Sequence, residues 1–197
     1  MALPVVWYET KLPKIAALEM VSCCKEHLAE DKDSGSRGTI IPGINWIGSF
    51  IWYYVNKANK DNFLYDIQDF ENSSLKYTEH SLEEPSYWHV DQDISTLYKP
   101  PVLGSNVMHN TSPLYEDFLI KNTETVRKLS VHVQLSDYDE YEGGNLEFEN
   151  IFGDKGVAPR LLGSIIILDS RIPYQITPIE KGIKKTISCW IHGPRWK

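Results

Sequence analysis

Leu129-Ser130-Val131-His132-Val133-Gln134-Leu135 alternates apolar and polar side chains without a break. Successive residues of an extended chain point to opposite faces. Leu129, Val131, Val133 and Leu135 therefore make one apolar face, and Ser130, His132, Gln134 and Ser136 a polar one. A helix would scatter the same residues around its circumference, so the stretch predicts a strand. Downstream, Glu142-Gly143-Gly144-Asn145 reads as a turn, followed by a strand around Leu146 and Phe148. Gly163 introduces Ser164-Ile165-Ile166-Ile167-Leu168, an apolar run of the kind that fills a strand buried on both faces. Two further strands are predicted from Ile172 to Ile176 and from Ile183 to Ile191, parted by Pro178 to Gly182. Upstream the two-residue period reaches back to Asn62, through Leu75, Tyr77 and Glu79 and through Phe63, Tyr65 and Ile67.

Before Asn62 the period is helical. Ala17, Val21, Cys24 and Leu28 recur at one-turn spacing and predict a helix from Leu12 to Glu30, ended by the polar loop Asp31 to Gly38. Ile47, Ile51, Tyr54 and Ala58, widened by Trp46 and Phe50, predict a second helix from Trp46 to Asn59. Its aromatic stripe reads as packing against a sheet rather than as a ligand box. Two helices followed by many short strands argue for a mainly β fold, a sandwich or small barrel with the N-terminal helices packed outside. The expected organisation is one domain over 1–197, with 1–60 as helical support and 61–197 as the β core. Between Tyr98 and Val126 there is little pattern, as in a functional lid or a tolerated insertion.

The chain has 197 residues and a formal net charge of −7, which disfavours a nucleic-acid partner. No apolar run approaches the roughly 20 residues of a membrane-spanning helix, and the first residues lack the order of a secretory leader. Cys23, Cys24 and Cys189 form no disulfide or zinc framework. A reduced, cytoplasmic setting is expected, and Asn72-Ser73-Ser74 and Asn110-Thr111-Ser112 are then chance glycosylation triplets. The oligomeric state is not legible.

His89-Val90-Asp91 is the sharpest local signal for chemistry. Residues i and i+2 of an extended segment point the same way, so imidazole and carboxylate can reach one metal ion. With a distant third donor they would make the facial arrangement of non-haem Fe(II) oxygenases. Alone, the triplet is common by chance. Much more of the chain joins it: Arg127-Lys128-Leu129-Ser130, Gln134-Leu135-Ser136-Asp137, Tyr141-Glu142-Gly143-Gly144-Asn145-Leu146, Ala158-Pro159-Arg160 with Gly163, and Gly193-Pro194-Arg195-Trp196-Lys197. With Tyr87-Trp88-His89-Val90-Asp91 and Ser95 to Pro100, these segments resemble the prolyl-4-hydroxylase-like 2-oxoglutarate/Fe(II) oxygenases, especially viral and bacterial members of the PKHD-type hydroxylases.

The resemblance implies a double-stranded β-helix, the cupin-like jelly roll. It also implies Fe(II) and 2-oxoglutarate as cofactors, with room for ascorbate as a reductant, and a peptide or protein substrate hydroxylated at a prolyl or other residue. It assigns His89 and Asp91 as metal ligands and Lys184 as the cation for the distal carboxylate of 2-oxoglutarate. Thr186 assists from the same strand face, and Tyr98 borders the substrate. Where the family has its third ligand, a histidine, this chain has Tyr174. Lys184 stands where arginine is more usual, His80 where the family has a tyrosine near the metal, so that His80 could substitute as a ligand, and Glu83 where a turn glycine is usual. A phenol with a pKa near ~10 is a poor ligand for Fe(II) unless the metal depresses that value. Lysine keeps the cation but loses the bidentate fork. Two readings stay open: a dioxygenase, with His80 or His192 also near the site, or a degenerate oxygenase fold kept as a binding or structural module. His132, on the polar face of its strand, is read as a surface or hydrogen-bonded histidine, with a place in the cavity wall as the alternative, and His27 and His109 as helix-surface and loop residues. The acidic run Asp137 to Glu140 with Glu142 is expected to be a solvated edge rather than a calcium site.

Overall fold

The computed structural model describes residues 3–26, 39–43, 45–82, 87–92, 125–150 and 153–196. Tyr98, His27, His109, Glu83 and most of the patternless 98–126 stretch lie outside these residues. Twelve strands and two α-helices are described: β1 (Val5–Glu9), α1 (Lys14–Glu26), β2 (Thr39–Pro42), α2 (Trp46–Ala58), β3 (Asp69–Phe70), β4 (Ser74–His80), β5 (Thr125–Gln134), β6 (Tyr141–Gly143), β7 (Leu146–Glu149), β8 (Lys155–Val157), β9 (Ser164–Asp169), β10 (Tyr174–Ile176), β11 (Ile179–Gly182) and β12 (Lys184–Pro194). A seven-stranded sheet runs β1-β9-β5-β12-β4-β2, with β3 also on β12, and its pairs are antiparallel. Two small sheets, β10-β7-β8 and β11-β6, complete a jelly roll.

Both faces of the large sheet are covered, because the apolar pattern of its central strands serves two cores. Leu129, Val131 and Val133 of β5, Ile165 and Ile167 of β9 and Ile187 of β12 pack with Met20, Ile47 and Ile51 of the helices. Each fully buried Ile or Leu contributes about 1.5–3 kcal/mol through removal from water. Ile166 and Leu168 point the other way and meet Leu146 and Tyr174 of the β10-β7-β8 sheet and Ile172 just before it. That double burial explains the unbroken apolar run of β9.

Several expectations need correction. Phe63, Tyr65 and Ile67 are not a strand: α2 runs into a single π-helical turn, Asn59–Phe63, closed by Leu64 in the left-handed region at φ 57°. Phe63 and Tyr65 still face the core, so the alternation came from burial at a helix end rather than from extended pairing. The first 60 residues are more than helical support, since β1 extends the large sheet along β9 and β2 along β4. The Pro178–Gly182 separator is itself strand β11, paired with β6 where only a turn was expected. Asn45 caps α2, its Oδ1 accepting from the Gly48 amide at 2.8 Å. The buried stripe of α2 runs through Ile47, Ile51, Val55 and Ala58, with Val55 taking the place expected for Tyr54. Among the described residues no helix is long and apolar enough to cross a membrane.

Candidate functional site

Residues 87–92 run beside β10 as a short extended segment. His89 and Tyr174 exchange two backbone hydrogen bonds, each 3.0 Å, and the Gln92 amide donates to the Ser170 carbonyl at 2.8 Å. This lays the imidazole of His89 against the ring of Tyr174, centroids 4.4 Å apart. Two residues on, Asp91 is buried on the same side. The Tyr174 hydroxyl donates to Asp91 Oδ2 at 2.9 Å, while His89 Nε2 lies 4.0 Å from Oδ1. Arg127 steadies the segment: Nη1 donates to the Asp91 carbonyl at 3.3 Å, Nε donates to Glu71 at 2.9 Å, and the guanidinium lies over Trp190. His89, Asp91 and Tyr174 are thus brought together.

Burial, reinforced by the carboxylate of Asp91, pushes the Tyr174 phenol well above its ordinary value of 10. Tyr174 is a neutral hydrogen-bond donor here, already committed to Asp91. His89 is prepared differently: its Nδ1 lies 2.7 Å from the Tyr87 carbonyl, which accepts from Nδ1–H and turns Nε2 toward Asp91. Toward Fe(II), then, His89 and Asp91 fit two ligand positions, and the phenol at the third does not fit as it stands. Among the described residues no three His, Cys, Asp or Glu side chains are gathered closely enough to hold a metal.

Lys184, Thr186 and His80 form a second group. Lys184 begins β12 opposite His80 of β4. Its ammonium is buried and donates to the Gly144 carbonyl at 2.8 Å. Burial, helped by the nearby Arg160 guanidinium, pulls its pKa down to about 8. His80 Nε2 is 3.2 Å from Thr186 Oγ1, and burial, with Lys184 next, pulls the imidazole down to about 4. His80 therefore sits on the lysine side, engaged with Thr186 rather than with Asp91. Lys184 and Thr186 line a cavity of about 10 Å³, with His132, Gln134, Tyr141 and Arg160 in its wall. That is room for about one water, so a dicarboxylate would require Lys184 and Arg160 to move. Gly143 and Gly144, at φ 75° and 63°, make the turn that offers the Gly144 carbonyl to Lys184.

Sequence reasoning missed Arg160 and Tyr141 as cavity residues. Arg160 donates to the Tyr141 carbonyl at 2.7 Å and stacks on its ring, and Gln134 donates to the Tyr141 hydroxyl at 2.7 Å. The signal for Gln134 was present, since it shares the polar face of β5 with His132. His132 is hydrogen-bonded, to Ser188 Oγ at 3.0 Å, and buried rather than on the surface. It lines the cavity and meets the Tyr174 ring edge-on at 5.2 Å. Burial pulls its pKa to about 4 against the opposing effect of Asp91, so the imidazole is neutral. His192 is partly buried at the far end of β12. Glu140 and Glu142 pair with Lys14 and Lys181 on the surface.

No protein-family model matches the chain. A PKHD-type hydroxylase of Teredinibacter turnerae is 30% identical over 76 residues, 38% of this chain and 33% of that protein, so the match spans a third of the relative. The structural likenesses cover nearly everything. A Pseudomonas putida prolyl-4-hydroxylase aligns over 98% of this chain and 94% of its own, with a TM-score of 0.62 at 12% identity. A viral collagen prolyl hydroxylase of Paramecium bursaria Chlorella virus-1, solved with 2-oxoglutarate, aligns over 98% and 97% with a TM-score of 0.62 at 13% identity. The carbocyclase SnoK reaches 0.61 over 98% and 80% at 9% identity. The fold is that of the 2-oxoglutarate/Fe(II) oxygenases. Within that class, the chain's resemblance is to hydroxylases of the prolyl-4-hydroxylase and PKHD types.

Proposed function

We propose that this chain is a 2-oxoglutarate- and Fe(II)-dependent dioxygenase that hydroxylates a prolyl or other residue of a peptide or protein. The observation that carries the reading is the arrangement of two groups along one barrel interior. His89 and Asp91 meet at Tyr174, Lys184 and Thr186 line the neighbouring cavity, and His132 touches the Tyr174 ring and lines that cavity as well. His89 and Asp91 would hold Fe(II), which when bound supplies the oxygen chemistry that couples decarboxylation of the 2-oxo acid to hydroxylation. Lys184 would exchange the Gly144 carbonyl for the distal carboxylate, a charge-assisted bond stronger than the one it leaves. Arg127 keeps the segment bearing His89 and Asp91 in place through the Asp91 carbonyl. Tyr87, 78% exposed beside His89, and Tyr98 would border the peptide. The reading includes a reducing cytoplasmic setting, in keeping with three cysteines that form no disulfide, and ascorbate as an auxiliary reductant.

The hydrogen bond from Tyr174 to Asp91 favours a second reading, a degenerate fold acting as a binding or structural module. Anaerobic calorimetry with Fe(II), followed by assay of succinate formed from 2-oxoglutarate in air, separates them. The dioxygenase reading expects stoichiometric Fe(II) binding and succinate formation. Absence of both in the wild type, with metal binding gained in Tyr174→His, would establish the second reading.

A further inference from the structure

A charge withdrawn from water is costly unless an opposite charge meets it, so buried ions are nearly always paired. Lys184 departs from that pattern. It is 4% exposed, and among the described residues its ammonium has one hydrogen-bond partner, the neutral Gly144 carbonyl at 2.8 Å. The charged group that acts on it is a second cation, Arg160, and the lysine still keeps its proton at pH 7. Arg160 is in the same condition. Its guanidinium donates to neutral oxygens throughout: the Tyr141 carbonyl at 2.7 Å, the Tyr141 hydroxyl at 3.3 Å, and the Tyr138 carbonyl and Asn145 Oδ1 at 3.4 Å each. The ion pairs formed among the described residues include neither cation. His80 and His132 nearby are neutral at pH 7 and bring no negative charge.

Lys184, Arg160 and Gly144 line one cavity, which Leu146, Ile166 and Ile176 close with apolar surface. Its volume of about 10 Å³ admits about one water-sized particle. A carboxylate is too large for that space with the walls where they stand. A single water fits but leaves both charges unbalanced. We propose that the cavity is a halide site, in which one chloride ion held by Lys184 and Arg160 balances their charge. Chloride matches the site because it is monoatomic, little larger than water, and weakly enough hydrated to enter a partly apolar cavity. No side chain has to move to admit it. The inference goes beyond the oxygenase reading and does not rest on it, since it concerns the chain without iron or 2-oxoglutarate.

The test compares melting of the full chain at pH 7 in sodium chloride and in sodium gluconate of equal ionic strength, beside Lys184→Met. Gluconate is too large to enter, and the variant, which lacks the ammonium, cancels the general effect of the two salts. Wild type should melt at least about 2 °C higher in chloride, with a gain that saturates as chloride rises, and Lys184→Met should show little of that gain. Should the variant not fold, a crystal of wild type soaked in sodium bromide reads the same contact, as an anomalous bromide peak beside Lys184 Nζ. Equal gains in wild type and Lys184→Met, or a wild-type crystal with no bromide peak in this cavity, would overturn the site and leave water as its occupant.

Discussion

Replacing Lys184 with methionine separates a residue kept for a ligand from one kept for the fold. The lysine is 4% exposed, its ammonium donates to the Gly144 carbonyl at 2.8 Å, and burial brings its pKa from 10.5 to about 8. The unfolded chain holds this proton up to 10.5 and the folded chain releases it near 8. Between those values the unfolded state binds more protons, so wild-type stability rises with pH across the window. Below pH 8 the buried charge costs roughly 3 kcal/mol. Methionine removes that cost and leaves the Gly144 carbonyl without its donor, a loss of about 1 kcal/mol. Lys184→Met is thus expected to be more stable at pH 7 by about 2 kcal/mol, raising Tm by roughly 4–8 °C for a chain of this size. The difference from wild type should shrink toward pH 10. Scanning calorimetry at pH 7 and 9.5 measures both values, and the subtraction cancels tyrosines that titrate at higher pH. The same variant should bind 2-oxoglutarate, with Mn(II) present and air excluded, at least tenfold more weakly, or ~1.4 kcal/mol. A lower Tm at pH 7 together with unchanged affinity would show that the lysine serves the fold and that the carboxylate is held elsewhere.

Three other outcomes are expected. Tyr174→Phe removes the donor to a buried carboxylate, so the metal-free protein should lose about 1.5–3 kcal/mol and melt several degrees lower; an unchanged melt would mean that the bond stabilises nothing. His80, neutral in the fold down to about pH 4, takes up a proton near 6.5 once unfolded. Wild type should therefore lose stability as pH falls from 6.5 toward 4, and urea unfolding of His80→Asn at pH 7 and 4.5 should show that fall reduced, by up to about 3 kcal/mol. Gly143→Ala places a Cβ 2.1 Å from the Pro178 carbonyl oxygen at a φ of 75°, and should cost well over ~1 kcal/mol in thermal unfolding; a neutral substitution would mean that the β6–β11 turn readjusts freely.

Where the sequence pattern had one physical cause, it was legible. The alternation of Leu129 to Leu135 and the apolar run of Ser164 to Leu168 gave the two central strands because burial on each face sets the residue type at each position. The alternation at Phe63, Tyr65 and Ile67 misled because a helix ending in a π-turn can bury every second residue just as a strand does. β1 and β2 were missed for the converse reason. Their assignment depends on pairing with β9 and β4, partners far along the chain that no local window contains.

The site shows the same division more sharply. The spacing of His89 and Asp91 foretold that both would face one way, because that follows from backbone geometry alone. The polar face of β5 was equally visible, yet its meaning depends on what covers it. Open to water, His132 would be an ordinary strand histidine. Covered by the sheet that carries Tyr174, it becomes a neutral imidazole with an unsatisfied nitrogen beside the one position where the expected donor is missing. Alternation is a property of one strand, whereas solvent exposure belongs to the pair of sheets. Only the assembled barrel could distinguish a tolerated surface residue from one enclosed between Tyr174 and the Lys184 cavity.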